Sequence, residues 1–225
     1  MYEHLRVDRS STVDRVADAL RSALFAGDLE PGTPLREQQL AAALGVARST
    51  IREAMAMLVT EGLAIREPNK GVSVAILRPS AVADICNARF VLESAGMRAW
   101  HEAGDAARER VRTALRTFTA IAESPDPDLR AMSEAHLAIH HSFVALTGSE
   151  RLTATEDAIT GEARLALARV DRLRRDAELQ VASHQLLVDL LERGDLDEAV
   201  AELRRHLNGA EESLLEAIAV QGSSA

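Results

Sequence analysis

The chain has 225 residues, of which 47% are hydrophobic, 27% are charged and only 3% are aromatic. This composition is that of a globular protein with room for two modest cores, and the scarcity of aromatic residues favours helices packed through aliphatic side chains. No run of about 18 apolar residues is present, the N-terminus lacks a signal-peptide pattern, and the single cysteine excludes an internal disulfide. We therefore expect a cytoplasmic protein without a membrane span.

The formal net charge of −9 is unevenly distributed. Residues 1–76 contain nine basic and ten acidic side chains, whereas residues 77–225 contain 17 basic and 25 acidic ones. The acidity therefore belongs to the second part of the chain. The nearly neutral first part can still bind nucleic acid if its basic side chains cluster on one face.

The first part of the sequence has the periodicity of three helices. Apolar residues at helical spacing follow Ser11, a hydroxyl cap candidate, and Gly27 ends this predicted helix. After a turn rich in Pro and Gly, a second helix begins near residue 36 and runs to Gly45. A third helix follows directly and ends at Gly62.

Two short strands follow the third helix. Residues 63–66 and 72–75 have the character of strands, and the turn at 68–71 separates them. Three helices followed by a hairpin predict a winged helix-turn-helix over residues 1–76.

The third helix has the features of a DNA-reading helix. Its first turn places Arg48, Ser49, Thr50 and Arg52 on the side away from the apolar stripe. Arginine can bind guanine O6 and N7 with two hydrogen bonds, and hydroxyl side chains can bind phosphates. The alternative from the residues alone is a small helical domain with surface arginines, because helix–turn–helix patterns are common.

The segment GDLEPGTPLREQQLAAALGVARSTIREAM at 27–55 closely resembles the GntR family of bacterial transcription regulators, and the likeness extends through LVTEGL to the wing glycine. The resemblance implies a homodimer that binds a double-stranded DNA operator with inverted half-sites. It also implies arginines at the operator, hydroxyl groups on phosphates and a wing tip near the minor groove, which are Arg36, Arg48, Arg52, Ser49, Thr50, Lys70 and Gly71. One departure is Ala47, where the family usually has a Ser or Thr cap that contributes about 1 kcal/mol.

From Pro79 onward the sequence has helical periodicity and no strand pattern. A long helix to about Ala103 is followed by one that begins after Asp105 and ends before Pro125. Further helices are predicted at roughly 128–147, 150–173, 176–193 and 195–220. The second part, residues 77–225, is therefore predicted to be an all-helical bundle, and the fold as a whole is predicted to be mainly α.

Four of the seven histidines lie in the apolar stripes of three of these helices. His136 and His140 are four residues apart on one helix, and His184 and His206 lie on two others. Each inward imidazole needs a polar partner, and one divalent metal ion satisfies all four, with zinc or nickel suited to imidazole. The alternative is four separately hydrogen-bonded core histidines. His141 is rotated by about 100° from its neighbour and falls outside the set.

Arg89 also falls on an apolar helix face. Its stem can pack while its head reaches water, or its guanidinium can bind a carboxylate through two parallel hydrogen bonds. Both interpretations are compatible with the sequence.

Five segments, NARFVLE (87–93), IHHSFVALTGS (139–149), SHQLL (183–187), RGDLDEA (193–199) and RRHL (204–207), resemble in spacing the FCD domain, the effector-binding domain of FadR-type GntR regulators. Many FCD domains hold a divalent metal with one Asp and three His and bind a small organic acid beside it. The resemblance implies that His140, His184 and His206 are metal ligands and that Arg89 binds the effector.

His136 stands where the family has its Asp. Four neutral imidazoles leave the ion's charge of +2 undiminished, which favours an anionic effector and can change the preferred metal. The alternatives are a weakened metal site or a displaced His136.

The sequence therefore predicts a metabolite-responsive DNA-binding regulator, a repressor by family resemblance, and not an enzyme. One alternative is a DNA-binding regulator whose second domain only dimerises. Another is a hydrolase that activates water on the histidine-bound metal.

Overall fold

The computed structural model describes residues 11–173 and 177–222. The chain forms two compact units, one extending to Ala75 and the other beginning at Ile76. Helices dominate both units, so the predicted mainly α fold is confirmed. Among the described residues, no helix is long and apolar enough to cross a membrane.

The first unit contains three helices, α1 (Thr12–Ala26), α2 (Glu37–Leu44) and α3 (Arg48–Thr60), and three strands, β1 (Pro34–Leu35), β2 (Ala64–Glu67) and β3 (Gly71–Val74). The strands form one antiparallel sheet in the order β1-β3-β2, in which Val72 of β3 lies opposite Leu35 on one side and Arg66 on the other. The predicted hairpin is present, but the sequence pattern missed β1. Two residues are too few to show the alternation of a strand.

The packing of α3 fixes which of its sides can face a ligand. Ile51, Ala54, Met55 and Leu58 are buried and belong to the core of the unit. At the end of this helix, Glu61 accepts two hydrogen bonds from Arg21 of α1, of 2.8 and 2.6 Å. The side of α3 that carries the arginines therefore stays at the surface.

The predicted weakness at the start of α3 is present. Ala47 has the extended backbone of an N-cap residue, with φ −67° and ψ 148°, and no side-chain hydrogen bond caps the helix. By contrast, Ser11 and Asp14 form a complete capping box at the start of α1. The first turn of α3 thus keeps backbone N–H groups available for an anion.

The second unit consists, in its described residues, of helices α4 (Pro79–Arg98), α5 (Asp105–Ala122), α6 (Leu129–Ala145), α7 (Glu150–Leu173), α8 (Ala177–Arg193) and α9 (Leu196–Gly222). The prediction that α4 runs to Ala103 is wrong. The N–H groups of Ala99 and Trp100 bond to carbonyls three residues back, so the helix tightens and ends there. Trp100 lies in the core of the unit, and the chain turns there, before Gly104.

A glycine permits a close crossing of α4 and α6. A Cβ built on Gly96 of α4 would lie 1.8 Å from the carbonyl oxygen of Phe143 in α6. Only a hydrogen atom fits in that space, so the two backbones are in direct contact. This crossing places Glu93, one turn earlier on α4, beside His140, one turn earlier on α6.

We expect Gly96→Ala to lower the free energy of unfolding by about 3 kcal/mol or more, because the added methyl group forces the two backbones apart. Urea unfolding followed by circular dichroism measures the change. Gly209→Ala is the matched control, since it lies within helix α9 and no atom lies within 4 Å of its added Cβ. It should gain about 0.5–1 kcal/mol from helix propensity. Equal stability of the two variants would contradict the proposed crossing.

Candidate functional site

The four histidines predicted as ligands come together inside the second unit. His136 and His140 extend from α6, His184 from α8 and His206 from α9. One ring nitrogen from each can be chosen such that all four lie within 4.8 Å of one another. Three of the rings are buried and His206 is half-buried. Three helices, of which α8 and α9 are consecutive in the chain, thus contribute to one cluster.

The hydrogen bonds around the cluster determine where its lone pairs point. His184 Nδ1 lies 2.7 Å from the carbonyl oxygen of Gln180, which can only accept, so this nitrogen carries the hydrogen. His140 Nδ1 lies 2.7 Å from a carboxylate oxygen of Glu93, and the same assignment follows. The lone pair of each ring is therefore on Nε2, and these two Nε2 atoms face each other at 3.2 Å.

Two lone pairs at this separation repel unless a cation lies between them. The distance resembles the roughly 3.3 Å between two nitrogens of a tetrahedral zinc site with bonds of about 2.0–2.1 Å. His206 also has its Nδ1 engaged, at 3.0 Å from Ser183 Oγ. Hydrogen-bonded Nδ1 atoms that direct Nε2 inward are typical of metal-binding histidines. The donor set fits a divalent metal.

Burial keeps these imidazoles in the form that binds metals. Desolvation lowers the pKa of His140 well below its ordinary value, and the positive charge of Arg89 lowers it further. Desolvation is also the main cause of the lowered pKa of His184, with smaller effects from the neighbouring histidines. Both rings are therefore neutral near pH 7 and have a lone pair for an ion.

Only 2% of Arg89 is exposed, so its guanidinium does not reach water. The interpretation in which the stem packs while the head reaches water is therefore wrong. Its Nε donates a 2.9 Å hydrogen bond to Oε1 of Glu93, while its Nη2 is buried without a hydrogen-bond partner. Glu93 is fully buried between this guanidinium and His140. Burial raises the pKa of the Glu93 carboxyl, and the charge of Arg89 opposes that rise.

Glu93 was not among the residues predicted from the sequence. The available signal was its position four residues after Arg89, the spacing at which an acid and a base meet on one helix face. Its contact with α6 could not be found this way, because it depends on how two helices cross.

A cavity of about 390 Å³ lies against the histidine cluster. Its lining includes Arg89 and the apolar residues Leu167, Val170 and Leu179. The volume lies within the range of small-molecule sites, and apolar walls with a few polar groups are typical of them. The cavity can hold a small molecule in contact with both the imidazoles and Arg89.

His141 points away from the cluster. Its Nδ1 lies 2.9 Å from Asp157 and 3.3 Å from Glu156, both on α7. The pKa of His141 is raised, chiefly by the hydrogen bond with Glu156 and also by the charge of Asp157. Glu156 is in turn held by Thr160 Oγ1 at 2.6 Å. These contacts form an ion-paired link between α6 and α7.

The first unit carries the predicted DNA-contacting residues on its surface. A cleft of about 600 Å³ between α2, α3 and the wing is lined by five of the seven, Arg36, Arg48, Arg52, Lys70 and Gly71, and also by Arg66. Ser49 and Thr50 do not line the cleft and lie on the first turn of α3. Gly71 has φ 92°, a backbone conformation that favours glycine at the wing turn.

One acid of α2, Glu37, binds both Arg48 and Arg52 of α3. This contact was not predicted from the sequence. Arg52 binds Glu37 through two hydrogen bonds, from Nε at 3.1 Å and from Nη2 at 2.9 Å. Arg48 Nη2 lies 3.4 Å from the same carboxylate. The wing lysine is similarly paired, with Lys70 Nζ 2.8 Å from Glu67. The basic side chains of this surface are therefore partly neutralised.

Comparison with known proteins agrees with this arrangement. The family described as bacterial regulatory proteins, gntR family, matches residues 12–74, and the FCD domain matches residues 84–209. A helix-turn-helix transcriptional regulator of Streptomyces ambofaciens, from an unstable DNA locus, is 30% identical over 195 residues, which cover 84% of this chain and 78% of that protein.

Two further proteins match nearly the whole chain. A transcriptional repressor of a D-xylose utilization operon in Paenarthrobacter nicotinovorans is 28% identical over 204 residues, covering 90% of this chain and 88% of the repressor. The crystal structure of a GntR transcriptional regulator from Rhodococcus sp. RHA1 is 28% identical, with a TM-score of 0.74 and coverage of 92% and 99%. The FCD match alone spans more than half of the sequence. This chain therefore belongs to the GntR family of DNA-binding transcription regulators, in the branch with an FCD domain, and is not an enzyme.

Proposed function

We propose that this regulator is a homodimeric repressor. Its first unit reads an operator with inverted half-sites, and its second unit binds a divalent metal ion together with a small organic acid. The observation that carries the proposal is the cluster of four imidazoles beside a cavity into which Arg89 extends. The name of the D-xylose operon relative supports repression.

The DNA contacts are proposed from the exposed side of α3. The side chains of Arg48 and Arg52 are 63% and 57% exposed, and both line the cleft beside the wing. Arg36 extends the same surface, Ser49 and Thr50 are offered to phosphates, and Lys70 and Gly71 approach the minor groove. Glu37 already binds these arginines. The bases and phosphates of DNA must therefore displace Glu37 or share the arginines with it.

Arg48→Ala and Arg52→Ala should each weaken operator binding by about 1–3 kcal/mol, the value of a good bidentate contact to a base. Fluorescence anisotropy at physiological salt measures this, using a duplex that the wild-type protein selects from a random library. Arg15→Ala removes the same charge from α1, outside the cleft, and should change the affinity little. Wild-type affinity in both α3 variants would refute this DNA-reading surface.

The metal is proposed to be held by His136, His140, His184 and His206, with zinc or nickel preferred by imidazole donors. A bound ion acts as a Lewis acid that attracts a carboxylate oxygen. The protein's own residues supply the imidazole rings, hydrogen bonds that orient three of them, and a cavity beside them. Because imidazole binds a metal ion as a neutral ligand, a bound ion would keep its charge of +2 next to the cavity.

Protein purified without a histidine tag should contain about one zinc or nickel ion per chain, and a chelator should lower the melting temperature, since a metal held only by the folded state stabilises that state. His184→Ala should lose the ion in elemental analysis. His141→Ala, which alters the ion-paired histidine next to His140, should retain it. Wild-type protein without stoichiometric metal would contradict the proposed metal site. It would favour the alternative in which the second unit only dimerises.

The effector is proposed to be a small carboxylic acid. The cavity has room for a few carbon atoms, and the buried Nη2 of Arg89 is a donor without an acceptor. A carboxylate that reaches both the ion and this nitrogen satisfies each of them. To release the operator, such a ligand must bind the DNA-free arrangement of the dimer more tightly than the DNA-bound one.

In a thermal-shift screen, small carboxylic acids should raise the melting temperature of the metal-loaded protein, while their primary amides, which have nearly the same shape, should not. A ligand at 100 times its Kd stabilises by about 2.7 kcal/mol. Chelation should abolish the effect of the acid. Equal shifts for acids and amides would contradict a charge-selective site.

A further inference from the structure

Glu93 is completely buried between the cavity arginine and the histidine cluster. Its Oε1 accepts the hydrogen bond from Arg89 Nε at 2.9 Å, and its Oε2 lies 2.7 Å from His140 Nδ1. We infer that Glu93 is a positioning residue for the metal: it fixes the orientation of His140 and makes its Nε2 a stronger donor. This inference rests on the proposed metal site.

The position of Glu93 is fixed from two directions. On its own helix, Arg89 lies one turn earlier and binds one carboxylate oxygen. Three residues later, Gly96 lets the backbone of α4 lie directly against that of α6, which sets the spacing of the two helices. The second oxygen is thereby held at hydrogen-bonding distance from His140. The ring is kept in the orientation that points Nε2 at the cluster.

The charge of Glu93 distinguishes His140 from the other rings whose partners are known. His184 donates to a neutral backbone carbonyl, and His206 lies beside the hydroxyl of Ser183. A carboxylate accepts the N–H hydrogen more strongly than these groups do and raises the basicity of the opposite nitrogen. Of these three rings, His140 is therefore the one whose bond to an ion would depend most on its partner.

The charge also acts on the ion through space. Four neutral imidazoles give the ion no counter-charge, and Arg89 adds a positive charge nearby. The Glu93 carboxylate contacts both Arg89 and a ligand ring in the buried interior, where charges interact strongly. It thereby offsets the arginine's repulsion of a cation, while the buried Nη2 of Arg89 has no hydrogen-bond partner.

The test is a zinc titration of the full-length metal-free protein against a competing chelator, with zinc alone as the probe. Glu93→Gln keeps the size of the side chain and removes its charge, and it should lower zinc affinity about 10- to 100-fold, as for other partners of metal-binding histidines. Glu192→Gln is the matched control, because Glu192 also pairs with an arginine, Arg112, but lies on α8 outside the cavity lining. It should bind zinc within about twofold of wild type.

Two measurements separate an effect on the ligand from an effect on folding. Cobalt-loaded Glu93→Gln should show shifted visible absorption bands, whereas Glu192→Gln should match the wild type. In wild-type zinc-loaded protein, nitrogen NMR should find the hydrogen of His140 on Nδ1, which needs no variant. A hydrogen on Nε2, or unchanged zinc affinity and cobalt bands in Glu93→Gln, would overturn the inference. Failure of the wild type to bind zinc would instead refute the proposed metal site.

Discussion

The contact between α4 and α6 at Gly96 is the constraint on which the second unit depends. With no side chain at this position, the backbone of one helix rests on a carbonyl of the other. That closeness brings a fully buried acid within 2.7 Å of a histidine and leaves an arginine at the edge of the cavity. The chemistry of the site is therefore set by a packing distance between two backbones, several residues from any of the four imidazoles.

In each unit a glutamate pairs with arginine, at the surface in the first unit and in the interior in the second. In the first, Glu37 binds the arginines of the reading helix at the surface, where water and salt weaken each pair. In the second, Glu93 binds Arg89 in the interior, where the pair is shielded from both. The surface acid can give way to a phosphate at modest cost. The buried Glu93 cannot exchange its partner in this way, so its position is fixed.

Much of this arrangement could be predicted from the chain. Histidines within apolar stripes point inward whatever the final crossing angles, so the meeting of His136, His140, His184 and His206 was predictable. The extents of most helices follow from periodicity and glycine stops. The contacts of Glu37 with α3 and of Glu93 with α6 were not predictable, because they depend on how the helices pack. Strand β1 was missed because two residues show no alternation. The end of α4 was misplaced because the chain turns at Ala99 and Trp100, before Gly104.

The histidine cluster has a topological consequence. Its members are spread over about 70 residues of chain, from position 136 to position 206, so an ion bound to them closes a long loop. A disulfide constrains the unfolded chain as well, whereas an ion held only by the folded state would stabilise that state through its own binding free energy. Such a link would form and break with the concentration of free ion and would need no oxidant. A chain whose one cysteine is buried and unpaired would thus obtain a removable cross-link from imidazoles.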